Sequence, residues 1–279
     1  MSLQLLSTSK CYNGEVKRYS HQSKCNNCEM KFHVYLPATI SKNAVPVLWF
    51  LSGITCTDEN FITKSCALQF ASREGIMLVC PDTSPRGAGI EGEQADWTLG
   101  LGAGFYVDAT NEPWSNNYNM YTYITSELYD LVSTSFNIIK DKQSIFGHSM
   151  GGHGALISAF KNPSKYRSVS AFAPICNPVT FGENALTHYL GGDKTKWDVY
   201  NASVLAKSYQ GPQLDILVDQ GTADDFLYKL YPDQLIDACK SNSANINLTF
   251  NHREGYPHNY WFIQTFIEDH IVFHSKHLN

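Results

Sequence analysis

Charge is scarce in this chain. Asp, Glu, Lys and Arg make up only 17% of its 279 residues, and the formal net charge is −5. That balance does not suit a chain held open by its own charge, and 43% hydrophobic and 13% aromatic residues supply a substantial core. There is no run of Lys and Arg to track a phosphate backbone, so a nucleic-acid partner is not expected. No apolar run approaches the roughly 20 residues that span a bilayer. The start, Met1-Ser2-Leu3-Gln4-Leu5-Leu6, is too short for a secretory apolar region and turns polar at once. The expectations are a cytoplasmic compartment and no membrane partner.

Cysteine is present, but a pairing pattern is not. Cys11, Cys25, Cys28, Cys56, Cys66, Cys80, Cys176 and Cys239 are scattered, several in apolar stretches, and read as free thiols. Cys25-Asn26-Asn27-Cys28 has C-x-x-C spacing, yet no second pair completes a zinc site. Its Asn-Asn reads instead as a hairpin turn between two strands, and no metal site is expected. Internal repeats, low-complexity tracts and linkers are also missing, which leaves one domain over 1–279 as the simplest organisation. The sequence leaves a homodimer open.

What the chain does carry is Ser144-Ile145-Phe146-Gly147-His148-Ser149-Met150-Gly151-Gly152-His153. Gly147 to Gly151 fits G-x-S-x-G, a serine on a sharp turn from strand to helix. Such a turn needs minimal side-chain volume two residues before and after the serine, and glycine also tolerates unusual backbone angles. The turn lifts the Ser149 hydroxyl out of the sheet and aims the Met150 N–H, at a helix start, into the same space. Ala155, Leu156, Ala159 and Phe160 continue with helical spacing until Asn162-Pro163.

The flanking pattern is α/β. Residues 1–36 read as antiparallel strands, with Met30, Phe32, Val34 and Leu36 alternating against polar neighbours. The apolar runs 47–51 and 76–80 read as strands covered on both faces. Further strands are expected at 144–146, 168–173, 214–219 and 246–250. Helices are expected at 60–73, 121–132, 226–240 (its main part starting at Pro232) and 260–273. Residues 83–114 and 174–209 read as irregular cover over a site. This predicts a mostly parallel central sheet with antiparallel N-terminal strands and helices on both faces, its site at the carboxyl ends of the strands.

Chain order then selects partners for the serine. His258 sits on a loop after strand 246–250 and before the last helix, the slot for a base in the order Ser…Asp/Glu…His. His148 lies inside the turn, where its ring packs; His270, His274 and His277 lie on or beyond the terminal helix. Asp219, Asp224 and Asp225 all follow strand 214–219, and pattern alone does not choose among them. Ser52-Gly53-Ile54, after strand 47–51, offers a backbone N–H to an oxyanion.

Longer blocks carry a resemblance. Leu51-Ser52-Gly53-Ile54-Thr55-Cys56-Thr57-Asp58-Glu59-Asn60-Phe61 resembles the early loop of the S-formylglutathione hydrolases, the esterase D family. Similar blocks are Pro81 to Gly87, Gly102 to Thr110, Gly147 to Ala155, Ala171 to Pro178, Asp219-Gln220-Gly221, and Glu254-Gly255-Tyr256 with His258. The resemblance implies an α/β-hydrolase fold. It also implies a cytoplasmic serine thioesterase that splits S-formylglutathione into formate and glutathione in formaldehyde detoxification, with no metal or organic cofactor. By it the acid is Asp224, three residues after the glycine of D-Q-G, and the oxyanion donors are the N–H groups of Ile54 and Met150. The family usually has leucine at the position of Ile54, a change that a main-chain donor survives.

Cys56, two residues past that donor, is a candidate for the pocket edge, against a buried core cysteine. Trp97 is a candidate contact for the glutathione moiety, against simple packing of its loop. Lys64 and Arg86 could meet glutathione carboxylates, with surface charge the plainer role. A general short-chain carboxylesterase or an acyltransferase could use the same three residues. A non-catalytic binder on this fold is expected to have lost one of them, and all three are present.

Overall fold

The structure, a computed structural model, describes residues 2–278. Nine strands form one sheet: β1 (Gln4–Cys11), β2 (Gly14–Gln22), β3 (Glu29–Leu36), β4 (Val45–Leu51), β5 (Met77–Pro81), β6 (Ile138–His148), β7 (Ser168–Phe172), β8 (Leu214–Gly221) and β9 (Ile246–Arg253). Their spatial order is β1-β2-β3-β5-β4-β6-β7-β8-β9. The first three are antiparallel, β3 joins β5 antiparallel, and every pair from β5 to β9 is parallel. The apolar runs explain the centre: β4, β5 and β7 are buried along their whole length.

Strand alternation decides which helix each side chain meets. On β7, the Ala171 side faces the helix Met150–Lys161, where a Cβ at Gly152 would lie 3.3 Å from the Ala171 Cβ. Ser168, Ser170 and Phe172 face the other way, onto the terminal helix Tyr260–Leu278. Phe172 stacks on His270 there, ring centroids 3.7 Å apart. The two helices thus cover the same central strands from opposite faces.

The layer under the terminal helix is polar as well as apolar. Ser144 bonds Ser168 at 2.9 Å, and Ser168 bonds His274 Nδ1 at 2.8 Å. Ser170 Oγ meets both His274 Nε2 at 2.8 Å and His270 Nδ1 at 2.7 Å. Burial lowers the pKa of both imidazoles, so each is neutral and donates from one nitrogen only. His270 Nε2 lies 3.8 Å from Asp219 Oδ2, so its proton belongs on that nitrogen and Nδ1 accepts from Ser170. Donation then runs one way, from Ser144 through Ser168, His274 and Ser170 to His270.

Two expected segments differ. The helix expected over 60–73 is two helices, Asp58–Lys64 and Ala67–Glu74, because Cys66 takes a left-handed φ of 60° between them. The cover expected to be irregular over 174–209 is helical in four short pieces, Pro178–Phe181, Glu183–Leu190, Lys194–Tyr200 and Ala202–Ser208. Each is too short to show an apolar period, and Asn177, Asp193 and Asn201 cap three of them. By contrast, the stretch 83–114 is free of helix and strand up to Trp114, which opens the short 3-10 helix Trp114–Asn116. The Cys25–Cys28 segment does link β2 to β3, but as a six-residue loop closed by Ser23 N–H to Cys28 O at 2.9 Å rather than a tight hairpin. Glu127 accepts the Lys24 and Cys25 N–H groups, each at 2.8 Å, so this loop is a structural anchor.

Candidate active site

Ser149 joins β6 to the helix Met150–Lys161 with φ 58° and ψ −117°. That conformation is unfavourable for a residue with a side chain, and three backbone bonds hold it. Its N–H donates to Phe172 O at 2.9 Å, and its carbonyl accepts from His153 N–H at 3.0 Å and Ile175 N–H at 3.2 Å. The positive φ falls on Ser149 itself, so the flanking glycines are needed for volume rather than for backbone angle. A Cβ at Gly147 would lie 2.2 Å from Gly151 O, and one at Gly151 only 1.8 Å from Leu51 O.

The loop after β9 brings His258 to this turn. The His258 ring lies 4.5 Å from the ring of His148, the residue preceding Ser149. His258 Nδ1 donates to Asp224 Oδ2 at 2.7 Å. Gln220 Nε2 donates to the same oxygen at 2.9 Å, and the Phe226 N–H donates to Oδ1 at 2.8 Å. Burial pushes the Asp224 carboxyl upward, but His258 and these donors outweigh it and hold the group below its ordinary pKa. Asp224 is therefore an anion, and it directs the His258 proton onto Nδ1, leaving Nε2 free to accept. Among the described residues no hydrogen bond joins the Ser149 hydroxyl to His258, a contact that often tightens only when substrate is bound.

The other acids fall elsewhere. Asp219 is buried, accepting from Arg253 Nε at 2.7 Å and Asn251 Nδ2 at 2.8 Å. Asp225 is exposed. His148 is packed and buried, its pKa well below the ordinary value through burial and then the charge of His258.

Ile54 lies on a pinned loop. Tyr106 donates its hydroxyl to Ser52 O at 2.9 Å, and Thr55, at φ 69°, donates its N–H to Gly102 O at 2.9 Å. Gly53 lets this loop close on the serine turn: a Cβ there would be 3.3 Å from both Ser149 Cβ and His148 Nδ1. Neither the Ile54 nor the Met150 N–H donates to a backbone carbonyl among the described residues outside helices and strands, and Met150 opens its helix, where the first N–H groups have no intrahelical partner. Cys56 follows on the same loop, half-buried, its carbonyl clamped by Thr83 Oγ1 at 2.5 Å and Arg86 at 3.0 Å. Burial raises its thiol pKa, while a hydrogen bond to Tyr260 opposes the rise. Tyr260 in turn approaches His148, with rings 6.4 Å apart.

Trp97 is 53% exposed and meets Phe181 edge-on at 5.9 Å. Arg86 is spoken for, paired with Asp82 at 2.8 Å. Lys64 lies over the Tyr260 ring at 5.7 Å. No motif marks Phe226, whose N–H bonds Asp224, or Lys229, which lines one groove with Phe226 and Trp97.

Comparison with known proteins bears on this arrangement. The esterase family profile matches residues 23–273. S-formylglutathione hydrolase of Bos taurus is 54% identical over the full length of both chains. The chain belongs to the S-formylglutathione hydrolase family. The Arabidopsis thaliana S-formylglutathione hydrolase is 48% identical over 98% of this chain and 97% of its own. A solved S-formylglutathione hydrolase from Agrobacterium tumefaciens superposes with a TM-score of 0.94, at 44% identity and 99% coverage of each chain. The α/β-hydrolase architecture expected from the sequence is thus the one the family shares. A ferulic acid esterase, at 18% identity and TM-score 0.71, shares the fold.

Proposed function

We propose that this chain is a serine thioesterase that hydrolyses S-formylglutathione to formate and glutathione, with Ser149, His258 and Asp224 as its catalytic triad. The His258–Asp224 bond of 2.7 Å beside the strained serine is the observation that carries the reading. Full-length identity of 54% to a protein named for that activity supports the substrate.

The steps follow from the groups present. His258 Nε2 takes the Ser149 proton as Oγ attacks the formyl carbon. The oxyanion is met by the Ile54 and Met150 N–H groups, each contributing about 3 kcal/mol to the transition state. The C–S bond then breaks, and the glutathione thiolate departs with the proton that His258 Nε2 had taken, which returns the imidazole to its neutral form. His258 next deprotonates a water that attacks the formyl ester, and Ser149 recovers its proton as formate leaves. A thiolate is a good leaving group, so the first step asks little acid assistance. The reading extends to a cytoplasmic role in formaldehyde detoxification and to side activity on short-chain esters, which esterase-family membership supports.

The test compares kcat/KM for S-formylglutathione, 4-nitrophenyl acetate and longer acyl esters. The thioester is expected to exceed the aryl acetate by at least 100-fold, or about 2.7 kcal/mol. A ratio near one identifies a general carboxylesterase instead. A fluorophosphonate probe should label wild type and not Ser149→Ala; an unlabelled wild type indicates a binder.

A further inference from the structure

A line of aromatic rings runs outward from His258. Phe226 meets the His258 ring edge-on at 5.1 Å, Phe181 meets Phe226 at 5.3 Å, and Trp97 meets Phe181 at 5.9 Å. These rings wall a surface groove of about 360 Å³, to which Asn184, Glu183 and Lys229 also contribute. That volume lies within the range of roughly 300–1,000 Å³ for small-molecule sites. Phe226 is fixed by the acid itself, through its N–H to Asp224 Oδ1. Phe226 thus ties the wall of the groove to the His258–Asp224 pair.

Its charges are unequal. Glu183 is neutralised by Lys194. Lys229 has no carboxylate within 4.0 Å among the described residues, and its ammonium lies 6.0 Å from the Phe181 ring and 5.4 Å from the Tyr228 ring. A cation left over apolar rings at the mouth of a site is poised for an anionic group on a ligand. Trp97, also in the lining, offers a large exposed face.

We propose that this groove holds the glutathionyl leaving group, with Lys229 pairing one of its carboxylates and Trp97 covering its peptide chain. The proposal rests on the thioesterase reading and deepens it. Glutathione carries two carboxylates and one ammonium, so its net negative charge matches Lys229, the cation in the groove's lining that has no carboxylate partner among the described residues. Phe226, in ring contact with His258, is the near wall of the groove, so the thiolate leaves toward it while the small formyl group stays by Ser149. Lys229 and Trp97 would then set selectivity for glutathione thioesters.

The test is the ratio of kcat/KM for S-formylglutathione to that for 4-nitrophenyl acetate, in wild type, Lys229→Met, Lys229→Arg and Trp97→Ala. Lys229→Met and Trp97→Ala should each lower the ratio about tenfold, mainly through the thioester KM, and Lys229→Arg should keep it near wild type. A ratio within twofold of wild type in both Lys229→Met and Trp97→Ala overturns the proposal. So does an equal loss on both substrates, the mark of a packing role. A second readout separates this proposal from the substrate reading. S-methylglutathione should inhibit aryl-ester hydrolysis competitively, about tenfold more weakly in Lys229→Met. If wild type leaves S-formylglutathione intact, the proposed substrate fails, and this inhibition alone decides the groove. No inhibition, or inhibition equal in Lys229→Met, overturns it.

Discussion

Asp224→Asn changes one atom in a carboxylate that serves three donors. Oδ2 accepts from His258 Nδ1 and Gln220 Nε2, and Oδ1 accepts from the Phe226 N–H. A carboxamide has one oxygen and one NH2. With its oxygen toward Phe226, its NH2 faces His258 Nδ1, which must then accept. The His258 proton moves to Nε2, the nitrogen that has to take the Ser149 proton. With its oxygen toward His258, the NH2 confronts the Phe226 N–H, and one buried donor pair is left facing itself at a cost of about 1–3 kcal/mol. The first orientation keeps the Phe226 bond, and the Gln220 amide can turn its unpartnered Oε1 to the new NH2 whereas a backbone N–H cannot turn away, so it is favoured. A wrong-tautomer base lowers kcat by about 10⁴, or about 5.5 kcal/mol of barrier. The assay is kcat for S-formylglutathione across pH 5–9, with near-UV circular dichroism to confirm packing. A fall of less than tenfold in a folded variant refutes the role assigned to Asp224 and the tautomer argument with it.

Three other perturbations have defined outcomes. Gly151→Ala drives a Cβ to 1.8 Å from Leu51 O, a backbone atom that cannot swing away; urea unfolding should show a loss of about 3 kcal/mol or more. Burial lowers His153 to a pKa of about 4, and His148, His270 and His274 are also lowered, so the unfolded chain binds more protons below its histidine pKa near 6.5. Stability should therefore fall as pH drops from about 6.5, by up to about 1.4 kcal/mol per pH unit for each histidine, and His153→Leu should remove one such share from the slope of unfolding free energy between pH 7 and 5. Thiol alkylation should inhibit slowly at pH 7, because burial raises the Cys56 thiol, and Cys56→Ser should resist; unchanged inhibition in that variant assigns the effect to another thiol, such as exposed Cys66.

Much of the candidate site was legible because it is written in consecutive residues and in chain order. The serine turn is a local motif, and the slot after the last strand singled out His258 without any resemblance. The proposed acid was not: Asp219, Asp224 and Asp225 share one strand end, and only the family resemblance points to Asp224. The structure supplies the physical distinction, since Asp219 turns under the sheet to Arg253 while Asp224 turns to His258. The polar layer of His270 and His274 was invisible, because its partners Ser144, Ser168 and Ser170 lie about 100 residues away or more. The helical cover at 178–208 was missed because its helices are short, irregularly spaced and set by caps and packing rather than by period. The leaving-group groove combines residues from three segments, and no spacing announces it.

The central claim is that Ser149 is the nucleophile of a glutathione thioester hydrolase. Steady-state turnover of S-formylglutathione by wild type and Ser149→Ala, with formate and glutathione both quantified, tests it most directly. Wild type should give equimolar products, and kcat should fall by about 10⁵ or more in the variant. Turnover retained within 100-fold in Ser149→Ala, or no formate from wild type, contradicts it.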